Sequence, residues 1–237
     1  MKKRSLQILD GFWLKLIAIC TMCIDHMGAT LFPFDLWLRC VGRAAFPIFC
    51  FLIAEGCTYT HDRKKYALRL LVFALLSEIP FNLMLSGRVW DIYDQNVLWT
   101  LLAGALVCWL IDWSLKKRTV WSFVLTAAAM TAAFWLLEIA GTDYGGWGML
   151  LVALFYADRR APYGPAVKRA AQAVGLTVFS IGITGSVLSI ELWSLMSLVP
   201  IWLYNGKRGI SNKAVQYAFY AFYPVHILLL SLLALYL

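Results

Sequence analysis

Nine stretches of this sequence are too apolar, for too many residues, for the chain to fold in water. They cover residues 12–32, 44–60, 66–85, 97–113, 120–140, 146–157, 171–189, 191–204 and 214–237. A helix needs roughly 20 apolar residues to cross a hydrocarbon core about 30 Å thick. Composition agrees: 62% of residues are apolar, mean hydropathy is +0.72 and 14% are charged, against about 25% in soluble domains. The expected fold class is therefore all-α, a polytopic integral membrane protein with about nine transmembrane helices. The sixth and eighth stretches are short, which leaves room for tilted, buried or re-entrant segments. Connections reach only about a dozen residues, so residues 1–237 read as a single transmembrane domain, with no internal repeat and no low-complexity segment.

The charges fix an orientation. With Met1 inside and the ends alternating, the inner segments hold Lys2, Lys3 and Arg4; Arg63, Lys64 and Lys65; Lys116, Lys117 and Arg118; Arg159, Arg160, Lys168 and Arg169; and Lys207, Arg208 and Lys213. With Lys15 and Arg69 at inner helix ends they make 18 of the 21 Lys and Arg, leaving Arg39, Arg43 and Arg88 outside. Such a bias at short loops predicts an N-in, C-out topology. The net charge of +8 then needs no nucleic-acid partner, and it suits the inner face to an anionic substrate such as a nucleotide phosphate. The basic start before the first apolar run resembles a signal peptide. That run is long, carries Asp25 and His26, and lacks a small-residue cleavage site, so it reads as a retained first span. Five of the six cysteines fall inside spans, where a thiol behaves as a small apolar group. Cys20, Cys23 and His26 splay around their helix, so no metal site is expected.

Polar residues inside the spans carry the functional signal, because charge in hydrocarbon is costly. Lys15 and His26 stand eleven residues apart, almost three full helical turns, and so share one face about 16 Å apart. Asp25 turns away from that face, either to orient a neighbour, to pair with Arg43, or to stay wet near the outer end. Arg43 either anchors at the interface or folds inward. Glu55 and Glu78 need a cationic partner or a proton, and Glu78 is the deeper of the two. Arg63 and Lys65, with Arg69 one turn into the third span, lie on the same side as Lys15 and could grip phosphates. Asp143 and Tyr144 lie in an outer loop at a possible acceptor mouth. His226 lies in the last span beside Tyr223. Pro47, Pro80 and Pro224 sit inside spans as possible kinks, and Gly145, Gly146 and Gly148 mark a backbone either tightly packed or broken.

These residues occur in a recognisable set. The segments are Leu14-Lys15-Leu16-Ile17, Ile24-Asp25-His26-Met27-Gly28, Gly42-Arg43-Ala44-Ala45-Phe46-Pro47-Ile48-Phe49 and Ile53-Ala54-Glu55-Gly56. Arg63-Lys64-Lys65-Tyr66, Arg69-Leu70, Ser77-Glu78-Ile79-Pro80-Phe81-Asn82 and Asn96-Val97 follow, then Asp143-Tyr144-Gly145, Tyr204-Asn205-Gly206 and Phe222-Tyr223-Pro224-Val225-His226. Together they resemble the TraX family, bacterial membrane proteins named for an acetyltransferase acting on conjugative pilin. Asn82 departs from the pattern, standing where aspartate is expected. The first span is also similar to the wider membrane acyltransferases that include the acyltransferase-3 family, in which a cation is followed after ten residues by histidine.

The resemblance implies acyl transfer from a cytoplasmic acyl-CoA, most simply acetyl-CoA, at a bacterial cytoplasmic membrane. His26, Asp25, Arg43 and Glu78 would form the catalytic group, with His26 as general base or as carrier of an acyl-imidazole and Arg43 as a candidate oxyanion donor. Lys15, Arg63, Lys65 and Arg69 would hold the donor's phosphates. Glu55, Asp143, Tyr144, Tyr223 and His226 would meet the acceptor: a peptide, a protein N-terminus, a glycan or a small amine. The alternative is a proton-coupled transporter relaying through Asp25, His26, Glu55 and Glu78, although no repeated half supports it. A non-catalytic scaffold would leave the buried charges without a reason. Monomer and dimer remain equally open.

Overall fold

The computed structural model describes residues 7–235. Lys2, Lys3 and Arg4 of the first basic cluster, and Tyr236 and Leu237 at the end of the ninth expected span, lie outside the described residues. Each of the nine apolar stretches is helical. In chain order the helices are α1 Gly11–Thr30, α2 Leu36–Gly42, α3 Ala45–Tyr59, α4 Arg63–Ser86, α5 Val97–Lys117, α6 Val120–Ile139, α7 Gly145–Arg160, α8 Pro165–Thr184, a 3₁₀ segment Ile190–Ser197 running into α9 Leu198–Trp202, and α10 Lys213–Ala234. Among the described residues the only β-pairing is two isolated bridges, Leu9 with Tyr204 and Gln95 with Thr142. Among the described residues, six helical stretches are long and apolar enough to cross a membrane: α1, α2 with α3 (Leu36–Tyr59), α4, α5, α6 and α10.

The helices start and stop where side chains can satisfy their ends. Asp10 accepts from the Phe12 and Trp13 N–H groups, Asp62 from Lys65, Asn96 from Leu98, and Asn212 from Val215. Thr119 and Ser122 form a reciprocal capping box at the start of α6. Each cap satisfies an amide that the helix itself leaves without an acceptor. Pro47 falls in the first turn of α3, where a missing N–H costs little, and breaks nothing. Pro80 and Pro224 lie within α4 and α10.

One span begins earlier than its hydropathy suggests. Leu36–Gly42 forms a helix that leads directly into α3. Arg39 and Arg43, four residues apart, both turn to Asp25 on α1. With Glu191 as the second carboxylate, their charges are balanced within one cluster instead of marking an outer boundary.

α3 occupies the middle, packed against α1, α5, α7 and the 3₁₀ segment, while α10 lies against α4 and α1. α7 is continuous through its glycines. A Cβ at Gly148 would sit 2.6 Å from Phe46 Cζ and 2.7 Å from Thr100 Cγ2, so these glycines serve close packing, not a break. α6 packs against α5 and α7 and turns Val120, Trp121, Leu125, Leu136 and Ile139 outward, as a lipid-facing helix would.

The connections gather at two ends. At one, the Leu9 N–H donates to Leu203 O (3.0 Å), Asn205 N–H to Leu9 O (2.8 Å) and Gly11 N–H to Lys207 O (2.8 Å). Glu55 pairs there with Arg159, Asp112 pairs with Arg63 and Arg160, and Lys168 donates to Arg159 O. This is the basic end. At the other, Gln95 N–H donates to Gly141 O (2.9 Å), Asp143 N–H to Gln95 O (2.8 Å), and Arg43 bridges Asp25 and Glu191.

Candidate functional site

Cavities enter the bundle from both of its ends. The one opposite the basic end has a volume of about 500 Å³ and is lined by Asp25, His26, Arg43, Asp143, Tyr144 and Tyr223, among others. Asp25 anchors its charge. Its Oδ2 accepts from Arg39 Nη1 at 2.6 Å and from Arg43 Nη2 at 2.5 Å, while Arg43 Nη1 reaches Glu191 Oε2 at 3.1 Å. Asp25, Arg43 and Glu191 are all buried, so this four-membered cluster holds charge that neither side could keep alone. Gly42 makes the approach possible, since a Cβ there would lie 2.2 Å from Asp25 Cβ. Asp25 Oδ1, Arg43 Nε and Glu191 Oε1 have no partner among the described residues.

The 140–144 loop closes one wall. Tyr144 adopts φ +62° ahead of α7, and its ring stacks on Phe46 with centroids 3.8 Å apart. The Arg43 guanidinium lies 6.0 Å from that ring. Asp143 is held by its backbone, which accepts from Thr100 Oγ1 at 2.7 Å. Burial pushes its carboxyl up to about 7, against the opposing pull of Arg43.

His26 lines this cavity and His226 does not. Instead His226 Nε2 lies 2.8 Å from His26 Nδ1, and His226 Nδ1 lies 2.7 Å from the Phe222 carbonyl oxygen. Tyr223 flanks both rings, its centroid 6.4 Å from His26 and 6.0 Å from His226.

The second cavity, about 230 Å³, opens at the basic end and is lined by Lys15, Arg69, Arg208, Glu55, Tyr220 and Tyr223, among others. Lys15 lies 5.5 Å from the centre of the Phe219 ring and Arg69 lies 5.8 Å from that of Tyr66. Lys15, Arg69 and Arg208 have no ion-pair partner among the described residues. Glu55, the carboxylate in this lining, is engaged by Arg159. Met22, Phe49, Val97 and Tyr223 line both cavities. α1 thus carries Lys15 into one cavity and His26 into the other, with Met22 between them.

The sequence-derived candidates divide accordingly. Asp25, His26, Arg43, Asp143, Tyr144 and Tyr223 come together around the larger cavity; Lys15, Arg69 and Glu55 come together around the smaller. Arg63 turns elsewhere, to Asp112 at 2.5 Å and over Trp109, and exposed Lys65 pairs with Asp62 at 3.1 Å. Glu78 lies outside both linings. It accepts from the side chain and backbone N–H of Asn96 and from Trp99 Nε1 at the start of α5. Arg39, Glu191 and Arg208 belong to these sites and were not singled out from sequence. The spacing of Arg39 to Arg43 was the available signal for the first; partners 148 residues apart leave none for Glu191.

A family described as TraX protein matches residues 11–234. The probable fimbrial assembly protein FimC, serogroup H1, of Dichelobacter nodosus is 30% identical over 241 residues, covering 93% of this chain and 94% of that protein. Protein TraX of Escherichia coli is 28% identical over 149 residues, 62% of this chain and 56% of that one. No solved structure matches. A match that runs from the first turn of α1 to the end of α10 takes in both cavities and every helix between them, and on that basis the chain belongs to the TraX family.

Proposed function

We propose that this protein is a membrane acyltransferase that takes an acyl group, most simply acetyl, from a cytoplasmic acyl-CoA and delivers it to an amine or hydroxyl presented from the opposite face. One observation carries the reading: a cavity holding three cations without carboxylate partners meets, across Met22, Phe49, Val97 and Tyr223, a cavity that holds a histidine. Unpaired cations suit the phosphates of a CoA ester. Lys15, Arg69 and Arg208 would hold them, with the pantetheine arm extending along α1. Arg63 and Lys65, engaged by Asp112 and Asp62, are left to the surface around that entrance.

In the transfer step the acceptor nitrogen or oxygen attacks the thioester carbonyl, and its proton passes to His26. The tetrahedral intermediate then expels the thiolate, which recovers the proton from His26 as the C–S bond breaks. Arg43, the cation of the larger cavity nearest Tyr144, is the candidate donor to the intermediate's oxyanion, and Asp25 holds it in place. Asp143 and Tyr144 would meet the acceptor. A relative named for fimbrial assembly puts pilus-type subunits among acceptors worth trying.

The same reading sets the protein as one domain in a bacterial cytoplasmic membrane, N-in and C-out with nine crossings. The division of connections between a basic and an opposite end supports it.

The test is acetyl-CoA binding by thermal shift and thiol release by purified protein in detergent. His26→Ala should abolish turnover while leaving the thermal shift intact. Lys15→Ala should raise the acetyl-CoA KM about tenfold or more, as loss of a charged phosphate contact does. Folded protein that binds no acyl-CoA would overturn the proposal.

A further inference from the structure

General-base chemistry at His26 needs one ring nitrogen that carries no proton and faces the cavity. In a neutral imidazole, which nitrogen that is depends on what the other one bonds to. The structure answers this through His226. The Phe222 carbonyl can only accept, so His226 Nδ1, 2.7 Å away, is the donor of that bond. A neutral ring has one N–H, which leaves a lone pair on His226 Nε2. That nitrogen can therefore only accept, and His26 Nδ1 at 2.8 Å must donate to it. His26 is left with its lone pair on Nε2.

The ring geometry fits a hydrogen bond and not a face-to-face stack. The two planes are 6° apart and the centroids 5.0 Å apart. The nitrogen–nitrogen contact of 2.8 Å falls short of that separation by about two ring radii, so both nitrogens lie near the line joining the ring centres and the rings are nearly coplanar. His226 is itself fixed, buried and stacked on Phe222 with centroids 4.6 Å apart. The nearest carboxylate along the chain, Asp25, is taken up by Arg39 and Arg43.

We infer that His226 is a positioning residue: from outside the cavity, it holds His26 as the Nδ1–H tautomer and so presents Nε2 as the base. This rests on the acyl-transfer reading for its consequence, though the tautomer itself does not. When His26 Nε2 takes the acceptor's proton, the imidazolium keeps its Nδ1–H bond to the His226 lone pair. No proton leaves the pair, and the Nε2 proton goes on to the departing thiolate. His226 thus orients the base as the aspartate does in a serine-protease triad, using a neutral ring. It also gives His226 a task other than touching the acceptor.

The experiment is ¹⁵N spectroscopy of histidine-labelled full-length protein in micelles at about pH 8, above the ordinary histidine range near 6.5. His61→Gln, in the exposed connection before α4, removes the third signal. His26 should show a protonated Nδ1 and an unprotonated Nε2. His226→Gln, whose amide oxygen can still accept, should keep that pattern, whereas His226→Phe should lose it. Thiol release from acetyl-CoA should fall about a hundredfold in kcat for His226→Phe, within the range of a lost general base, with KM little changed, and His226→Gln should recover most of it. A wild-type His26 protonated at Nε2, a tautomer unchanged in His226→Phe, or equal turnover in the Gln and Phe variants would each overturn the inference. Absence of thiol release in wild type would instead sink the acyl-transfer reading, and the nitrogen spectrum would still decide the tautomer.

Discussion

Asp25 is the residue on which the larger cavity's electrostatics turn, because two arginines share one of its oxygens. Removing it by Asp25→Ala leaves Arg43 buried with Glu191 as its remaining carboxylate. Breaking one partner out of a buried ionic group costs about 3–5 kcal/mol, to be read from thermal unfolding in detergent. Asp25→Asn should cost less, since the amide oxygen can still accept from one guanidinium. Asp143 supplies a pH signature. Its folded-state value of about 7 lies above the ordinary aspartate value of about 3.9, so the folded protein holds a proton that the unfolded chain has released. The stabilisation is complete below the ordinary value and is lost as pH rises through about 7. Stability should therefore fall with pH across that window, and Asp143→Asn should flatten the slope. At this scale the sequence revealed most of what matters, because a charge in an apolar run is visible without a structure. It could not show direction. The spacing leaves Arg43 free either to anchor at the interface or to fold inward, and only its ion pair with Asp25 decides.

Helix ends explain Glu78, the deeper of the two glutamates in the second and third spans. Glu78 accepts N–H groups from Asn96 and Trp99, and Asn96 Nδ2 also donates to Ala74 O at 2.8 Å while its Oδ1 caps Leu98. A negative group at a helix start is stabilised by the orphan amides and the helix dipole, which accounts for a buried Glu with no cation. Hydropathy along α4 cannot register this, because the partner belongs to the next helix. Asn96→Ala removes a cap and a buried carboxylate's donor together, and should destabilise by about 2–4 kcal/mol. Thr119→Ala, at the less buried start of α6, should cost about 1 kcal/mol. Glu78→Gln should lower the melting temperature yet leave kcat within about twofold. A kcat loss as deep as that of His26→Ala would return Glu78 to the catalytic group.

Whether the whole chain crosses nine times depends on its shortest segment. Residues 190–202 leave the end where Glu191 meets Arg43 and arrive where Leu203 bonds to Leu9, so they run the length of the bundle. Thirteen residues of α-helix would extend about 20 Å. Eight of them are 3₁₀ and five are α. At about 2.0 Å per 3₁₀ residue and 1.5 Å per α residue, the segment reaches about 24 Å, the length of the sixteen-residue α7. Stretching into 3₁₀ geometry thus offsets the shortage of residues, and no sequence period announces it. The segment is also surrounded by α2, α3 and α8, which relieves it of spanning lipid alone. Single cysteines placed at Asp91, Lys116, Ser186 and Lys207 in a background without the six native ones separate the possibilities. A membrane-impermeant thiol reagent on intact cells should modify positions 91 and 186 and spare 116 and 207. Modification at 207 as well as 186 would mean that residues 190–202 do not cross and that α10 runs the opposite way. The inverse pattern at all four would reverse the orientation and, with it, the side from which an acyl-CoA could reach Lys15.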